Sequence, residues 1–166
     1  MLLTIVFIKN RLFRYHHKIL FKFVSIDLKL IIPISCMRAI SRFLIIDDDP
    51  SNNFLCEIML KKTIAGMEIR TFLQPEIAVD FIKKEYSNGN AVPTILFLDI
   101  NMPVMTGWDF LETLEAFDDK IIQHFTIYIV SSSVDQSDKK RAIENPLVID
   151  YIEKPVTVEK LKQIFS

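Results

Sequence analysis

Four places along the chain hold residues that could do chemistry together: Asp47-Asp48-Asp49, Asp99, Ser131 and Lys154. The first three close the apolar runs RFLIID, TILFLD and TIYIVS, and Lys154 follows the run VIDYI by two residues. If those runs are parallel neighbours in one sheet, their carboxyl ends bring the acids together, and the carboxylates repel one another. A hard divalent cation relieves that repulsion. Mg²⁺ takes one or two carboxylates, keeps several waters and commonly shares its shell with a phosphate. Lys154 adds a mobile ammonium for a carboxylate or a phosphate oxygen, and Ser131 a hydroxyl that can donate to one. Nothing in the set reads as a general base for an external substrate, whereas a carboxylate can itself be the nucleophile through an aspartyl phosphate. The residues therefore predict a Mg²⁺ site built to take a phosphoryl group.

Each signal has a plainer reading when taken alone. Asp47-Asp48-Asp49-Pro50 could be only a helix N-terminus, where acids are favoured, and Asp49 reads simply as its cap. Asp99 could be a loop acid, the serines from Ser131 ordinary turn residues, and Lys154-Pro155 a turn boundary. Tyr151 reads as a half-buried packing aromatic and Trp108 as helix packing. His16, His17 and His124 read as solvated. All of these would have to hold at once to defeat the site.

Composition bounds what surrounds it. Half of the 166 residues are apolar and a quarter charged, and the net charge is −1. Residues 1–42 carry a balance of +7, with Asp27 the only acid, and residues 43–166 a balance of −8. That split suggests two units, an N-terminal extension over 1–40 and a folded domain over 41–166. The acidic part argues against nucleic-acid binding, which needs clustered Lys and Arg. Cys36 and Cys56 make neither a disulfide framework nor a metal-ligand spacing, so a reducing cytoplasm is expected. In the extension, Lys9, Arg11, Arg14, Lys18, Lys22, Asp27 and Lys29 interrupt every apolar run, against the roughly 20 residues a membrane span needs. A basic amphipathic helix on an anionic membrane surface is one reading. Another is that the extension is not native, being translated AT-rich upstream sequence, with the true start at Met37, which leaves 130 residues.

From Met37 onward strand and helix signals alternate. Strands are expected at Arg42–Asp47, Met67–Leu73, Thr94–Asp99, Thr126–Ser131 and Val148–Ile152. Pro50, capped by Asp49, opens a helix with Phe54, Leu55, Ile58 and Met59 at helical spacing. Pro75 opens another with an apolar stripe of Ile77, Ala78, Phe81 and Ile82. Further helices are expected over Gly107–Phe117, with Phe110, Leu111 and Leu114 inward, and over Asp138–Ile143 and Val158–Phe165. Five β-α pairs without a hairpin signal give a doubly wound α/β fold, a five-stranded parallel sheet covered on both faces. Ligands bind at the carboxyl ends of such strands.

The runs FLIIDDDP (43–50), LFLDINMPVMTG (96–107), IVSSS (129–133) and YIEKP (151–155) closely resemble the response-regulator receiver domains of two-component systems, over about residues 42–166. The resemblance implies a flavodoxin-like sheet of order 2-1-3-4-5, with Asp99 the phosphoacceptor fed by a phosphohistidine of a sensor histidine kinase or a histidine phosphotransfer protein. It makes Asp48 a direct Mg²⁺ ligand alongside Asp99 and the Asn101 main-chain carbonyl, with Asp47 acting through water. Ser131 takes the hydroxyl position that moves toward the phosphoryl group, Tyr151 the aromatic switch, and Lys154 the lysine whose bond to Pro155 is cis. Pro103 and Gly107 fall in the loop after the phosphoacceptor. Two departures stand out: three consecutive serines begin at 131, and Glu153 replaces a usually apolar residue beside Lys154, though strand alternation sends the two to opposite faces.

Two other classes fit less well. A dehalogenase-type phosphatase or phosphotransferase needs a second acid two residues past its nucleophile, where this chain has Asn101. A nucleotide-binding domain needs a glycine loop, which Gly66, Gly89 and Gly107 do not form. The leading expectation is thus a signalling module rather than an enzyme, which catalyses only its own phosphoryl transfer and loss. After Lys154-Pro155 only one helix fits before Ser166. Output is expected through the face of the fourth helix, fifth strand and last helix, to an unidentified partner protein or by onward phosphotransfer. Homodimerisation through the last helices is left open.

Overall fold

The computed structural model describes residues 40–165; the readings of the N-terminal extension lie outside them. β1 (Arg42–Ile46), β2 (Glu68–Phe72), β3 (Thr94–Leu98), β4 (Phe125–Ser131) and β5 (Val148–Glu153) form one sheet of order β2-β1-β3-β4-β5. Every pairing is parallel. The helices between and after them are α1 (Pro50–Thr63), α2 (Pro75–Ser87), α3 (Gly107–Glu115), α4 (Asp119–Ile122), α5 (Gln136–Glu144) and α6 (Val158–Phe165). This is the doubly wound α/β fold the alternation implies. Among the described residues, no helix is long and apolar enough to cross a membrane.

β1 and β3 are buried along their whole length, because helices cover both faces of the sheet. Alternate side chains feed two cores. Leu44, Ile46, Leu96 and Leu98 pack with Ala78, Ile82, Phe110, Leu111 and Ala142, below α2, α3 and α5. Phe43, Ile45, Ile95 and Phe97 pack with Cys56, Leu60, Leu161 and Phe165, below α1 and α6. The order reverses at β1, whose neighbours are β2 and β3, so the crevice expected of such sheets opens between the ends of β1 and β3.

Helix rotation departs from the expected stripes. In α1 the inward residues are Asn53, Cys56 and Leu60, while Phe54 and Leu55 are 63% and 51% exposed. The cause is polar: Asn53 Nδ2 donates to the carbonyls of Asp47 at 2.8 Å and Phe72 at 3.4 Å, which fixes the helix on the sheet. In α2, Ile77 is likewise exposed, and Ala78, Val79, Ile82 and Tyr86 face inward. The short α4 was not expected; Asp118 caps it by accepting from the Lys120 N–H at 2.8 Å. α5 starts two residues before the expected Asp138 because Asp135 caps it, accepting from the Ser137 N–H. His124 is half-buried beside the Tyr86 ring rather than solvated.

Two titratable groups in the α1/α6-side core make alkaline stability testable. Burial, helped by the Asp47 charge and opposed by Lys154, pushes the Cys56 thiol from 9.0 up to about 12. Burial, with the Asp150 charge, pushes Tyr128 from 10.0 up to about 12. Both are acids held neutral by the fold, so the unfolded chain releases their protons first and stability falls as pH rises from 9 toward 12. A loss of roughly 4 kcal/mol by pH 11 is expected, the larger share from Cys56. Denaturant titrations across that range should show a shallower decline for Cys56→Ala and for Tyr128→Phe; an unchanged slope in both would contradict the assignment.

Candidate functional site

The acids stand where the strands run out. The Asp47 N–H donates to the Phe72 carbonyl at 3.1 Å, and the Asp99 N–H to the Ile46 carbonyl at 2.9 Å, so ladder bonds carry both residues one step past β1 and β3. Asp47 and Asp99 are 4% and 6% exposed, and Asp48 is exposed. One carboxylate oxygen from each of the three lies within 4.8 Å of the others. Asp47 Oδ1 accepts from the Asp49 N–H at 3.0 Å and from Asn52 Nδ2 at 3.3 Å. Asp99 Oδ1 accepts from the N–H groups of Ile100 at 2.8 Å and Asn101 at 3.4 Å. Asp49 is the α1 cap, as expected.

Lys154 answers two of the three charges. Its Nζ lies 2.6 Å from Asp47 Oδ2 and 3.0 Å from Asp99 Oδ2. Its N–H donates to the Ser131 carbonyl at 3.0 Å, and its bond to Pro155 is cis. Burial alone would lower the ammonium's pKa, but the Asp47 hydrogen bond and the charges of Asp99 and Asp47 outweigh it and hold the pKa above the ordinary lysine value. Removing one partner of a buried ion pair strands the other. Lys154→Ala is therefore expected to cost about 3 kcal/mol in Mg²⁺-free buffer. Added Mg²⁺ should recover more of the variant's stability than of the wild type's, since a cation would replace the lost charge. Equal Mg²⁺ increments in denaturant titrations of both chains would contradict this.

Ser131 ends β4 and is fully buried. Its Oγ accepts from Asn101 Nδ2 at 3.4 Å and from the Ser133 N–H at 3.2 Å. Of the three serines it is the one turned to Asn101; Ser132 is exposed, and Ser133 donates to Asp138 Oδ2 at 2.6 Å. Tyr151 is half-buried against the core, and its hydroxyl donates to the Ser133 carbonyl at 2.9 Å. Glu153 pairs with Lys139 at 3.2 Å and leaves Lys154 to the acids, as strand alternation implies. Beside the site, a cavity of about 640 Å³ lies between α1 and residues 154–159; Asp47, Asp99 and Lys154 line it, with Leu55, Met59, Val156 and Val158 as apolar walls.

The loop after Asp99 is tightly seated. A Cβ on Gly107 would lie 2.3 Å from the Asp99 carbonyl oxygen and 2.8 Å from Ile100 Cα. Val104 holds a φ of 68°, a left-handed conformation costly for a β-branched residue. Thr106 and Asp109 cap α3 reciprocally. Trp108, on its first turn, packs under the Arg141 guanidinium, 4.4 Å from the ring centroid. The structure thus brings together Asp47, Asp48, Asp99, Asn101, Ser131 and Lys154, while Tyr151 stands one residue removed, bonded through Ser133. Asn52 and Ser133 were not assigned these contacts. A polar residue in the first turn of α1, five after Asp47, was the only available signal for Asn52.

The donor set is carboxylate oxygen throughout, which suits Mg²⁺ and other hard cations. A parallel, doubly wound domain with buried acids and one lysine at its switch point defines an acid-site α/β module. The family model of the response regulator receiver domain matches residues 43–166, and the chain belongs to that family. Among solved structures, a two-component response regulator from Cytophaga hutchinsonii is 28% identical with a TM-score of 0.70, covering 77% of this chain and 96% of that one. A response regulator receiver protein from Dyadobacter fermentans is 29% identical with a TM-score of 0.66, over 76% and 94%. The two-component response regulator ORR26 of Oryza sativa subsp. japonica is 27% identical over 125 residues, 75% of this chain but 19% of its own length. Helicobacter pylori sensor histidine kinase CheAY is 29% identical over 77 residues, 46% of this chain and 9% of that protein. The chain thus spans less than a fifth of the curated relatives it matches.

Proposed function

We propose that this receiver domain accepts a phosphoryl group on Asp99 and signals through the change that follows. One observation carries the reading: three carboxylates from two strand ends lie within 4.8 Å of one another, with Lys154 bridging the two buried ones. Such a cluster is electrostatically costly unless a cation or a reacting group uses it. The donor is a phosphohistidine of a sensor histidine kinase or a histidine phosphotransfer protein. A carboxylate oxygen of Asp99 attacks phosphorus, the phosphorus–nitrogen bond breaks, and the imidazole leaves with the electron pair and takes a proton. Asp48, Asp99 and the Asn101 main-chain carbonyl would hold Mg²⁺, with Asp47 acting through water. The ion supplies charge neutralisation at the phosphoryl oxygens.

Lys154 already bonds Asp99, so it can transfer to a phosphoryl oxygen by a short movement. Ser131 can donate its hydroxyl proton to another. The new dianion draws both inward through charge-assisted bonds. Tyr151, the switch aromatic, then responds on the face of α5, β5 and α6, where a partner protein or a further phosphotransfer step receives the signal. The chain is read as a cytoplasmic phosphoprotein of a phosphorelay, catalysing only its own phosphorylation and hydrolysis.

The test is an intact-mass spectrum of the folded chain after acetyl phosphate, with and without Mg²⁺, followed by peptide mapping. A single Mg²⁺-dependent phosphoryl adduct at Asp99 supports the reading. A folded chain that takes none is better read as a docking module independent of phosphorylation.

A further inference from the structure

We propose that the cavity beside Asp99 is a subsite for the acyl group of a small phosphodonor, an uncharged aliphatic chain of butyryl size. The inference rests on the receiver reading of Asp99 and names a substrate class for it. The cavity, about 640 Å³, is lined by two kinds of chemistry. Asp99 and Lys154 supply the polar part, and Lys154 Nζ lies 3.0 Å from Asp99 Oδ2, where it can also meet a phosphoryl oxygen. The rest is largely apolar: Leu55 and Met59 come from α1, and Val156 and Val158 from the start of the last α unit. Phe97 and Val130, both buried, line it from the sheet. Leu55 is 51% exposed, so α1 presents an apolar side chain at this cavity rather than in the core. An apolar pocket of this size with a few convergent polar groups is the form small-ligand sites take.

An acyl phosphate matches both parts of that lining. Its phosphoryl group goes to Asp99 and Lys154, and its hydrocarbon chain to the apolar walls. An oxygen of the Asp99 carboxylate bonds to phosphorus as the bond from phosphorus to the acyl oxygen breaks. That oxygen keeps the electron pair and the acid leaves as its carboxylate, so the step needs no proton and no co-reactant. In-line displacement sets the leaving oxygen opposite the attacking one, and the adjoining cavity gives its substituent a place to lie. An acetyl group carries a single methyl and leaves most of the apolar lining uncovered. A butyryl group adds two methylenes, each of which gains by leaving water for an apolar wall. Glu159 also lines the cavity and is exposed; its carboxylate disfavours a chain that ends in a second anion.

The experiment measures initial rates of loading of the full chain by intact mass, with acetyl phosphate and butyryl phosphate at equal low concentration in excess Mg²⁺. At low donor the rate follows kcat/KM, so binding of the chain counts in full. Wild type, Leu55→Gln, and a double variant carrying Leu55→Gln and Met59→Gln are compared, with peptide mapping of each adduct. Wild type should load about tenfold faster from butyryl phosphate, the weight of two methylenes moved from water to apolar walls. The ratio should fall to about threefold in Leu55→Gln and toward parity in the double variant. Because the two donors are compared within each chain, a general change in folding or in reactivity at Asp99 cancels. Parity in wild type overturns the proposal. A tenfold ratio that both variants keep overturns it too, since the preference would then lie outside these walls. Should the double variant fail to fold, Leu55→Gln decides by the same criteria. Adducts at Asp99 with parity between donors remove the subsite and leave the receiver reading standing. No adduct from either donor in a folded chain overturns the receiver reading, and this proposal with it.

Discussion

An Asp99→Asn chain is expected to leave incubation with acetyl phosphate and Mg²⁺ at unchanged mass, while the wild type gains one phosphoryl group. The substitution keeps the shape of the side chain, and the amide oxygen can still accept from the Ile100 N–H, now 2.8 Å from Asp99 Oδ1. Lys154 keeps its 2.6 Å partner in Asp47, so the fold should stay within about 1 kcal/mol of wild type. What disappears is the proposed nucleophile, and the rate of uptake should fall on the order of a thousandfold or more. Mass spectrometry over a time course measures this directly. An adduct that persists in the variant and maps to Asp47 or Asp48 would move the phosphoacceptor to β1, since those are the two other acids of the cluster.

Gly107→Ala should damage both stability and uptake. The added Cβ would stand 2.3 Å from the Asp99 carbonyl oxygen and 2.8 Å from Ile100 Cα. Both are backbone atoms, so no rotamer change makes room. Either α3 lifts away from the sheet or the peptide carrying Asp99 shifts, and overpacking of this kind costs about 3 kcal/mol. Thr106→Ala is the informative comparison. It removes the cap of α3, worth about 1 kcal/mol, without pressing on Asp99. Gly107→Ala should therefore slow adduct formation beyond what its stability loss explains, whereas Thr106→Ala should leave the rate of the folded protein unchanged. Equal rates per folded molecule in the two variants would mean that the close approach does not position Asp99.

The sheet was legible because its central strands are short apolar runs between turn residues, and Arg42–Ile46 and Thr94–Leu98 are buried on both faces. The acids were legible for the same reason: each interrupts its run at the point where the strand ends. Helix faces were less legible. Phe54, Leu55 and Ile77 have the residue type of a core but stand exposed; for the first two, the reason is that Asn53 anchors α1 through two backbone carbonyls. A polar residue used as an anchor looks, in sequence, like a surface residue. The roles of Ser131, Tyr151 and Lys154 came with the family resemblance, whereas the two-acid grip of Lys154 and the bonds of Ser133 depend on loops that spacing does not describe. Gly107 was visible only as part of the loop pattern; its reason, a carbonyl where a Cβ would be, is a tertiary fact.

The seating of Trp108 has an optical consequence. It is the only tryptophan in the chain, it directly follows Gly107, and Arg141 of α5 lies over its ring. Near-ultraviolet emission selectively excited from this protein therefore comes from a single seam, where the helix that leans on Asp99 meets the helix bonded to Ser133. The molecule carries its own fluorophore where α3 meets α5, and a rotation of α5 that withdrew the guanidinium would alter the polarity and quenching around that indole without any added label.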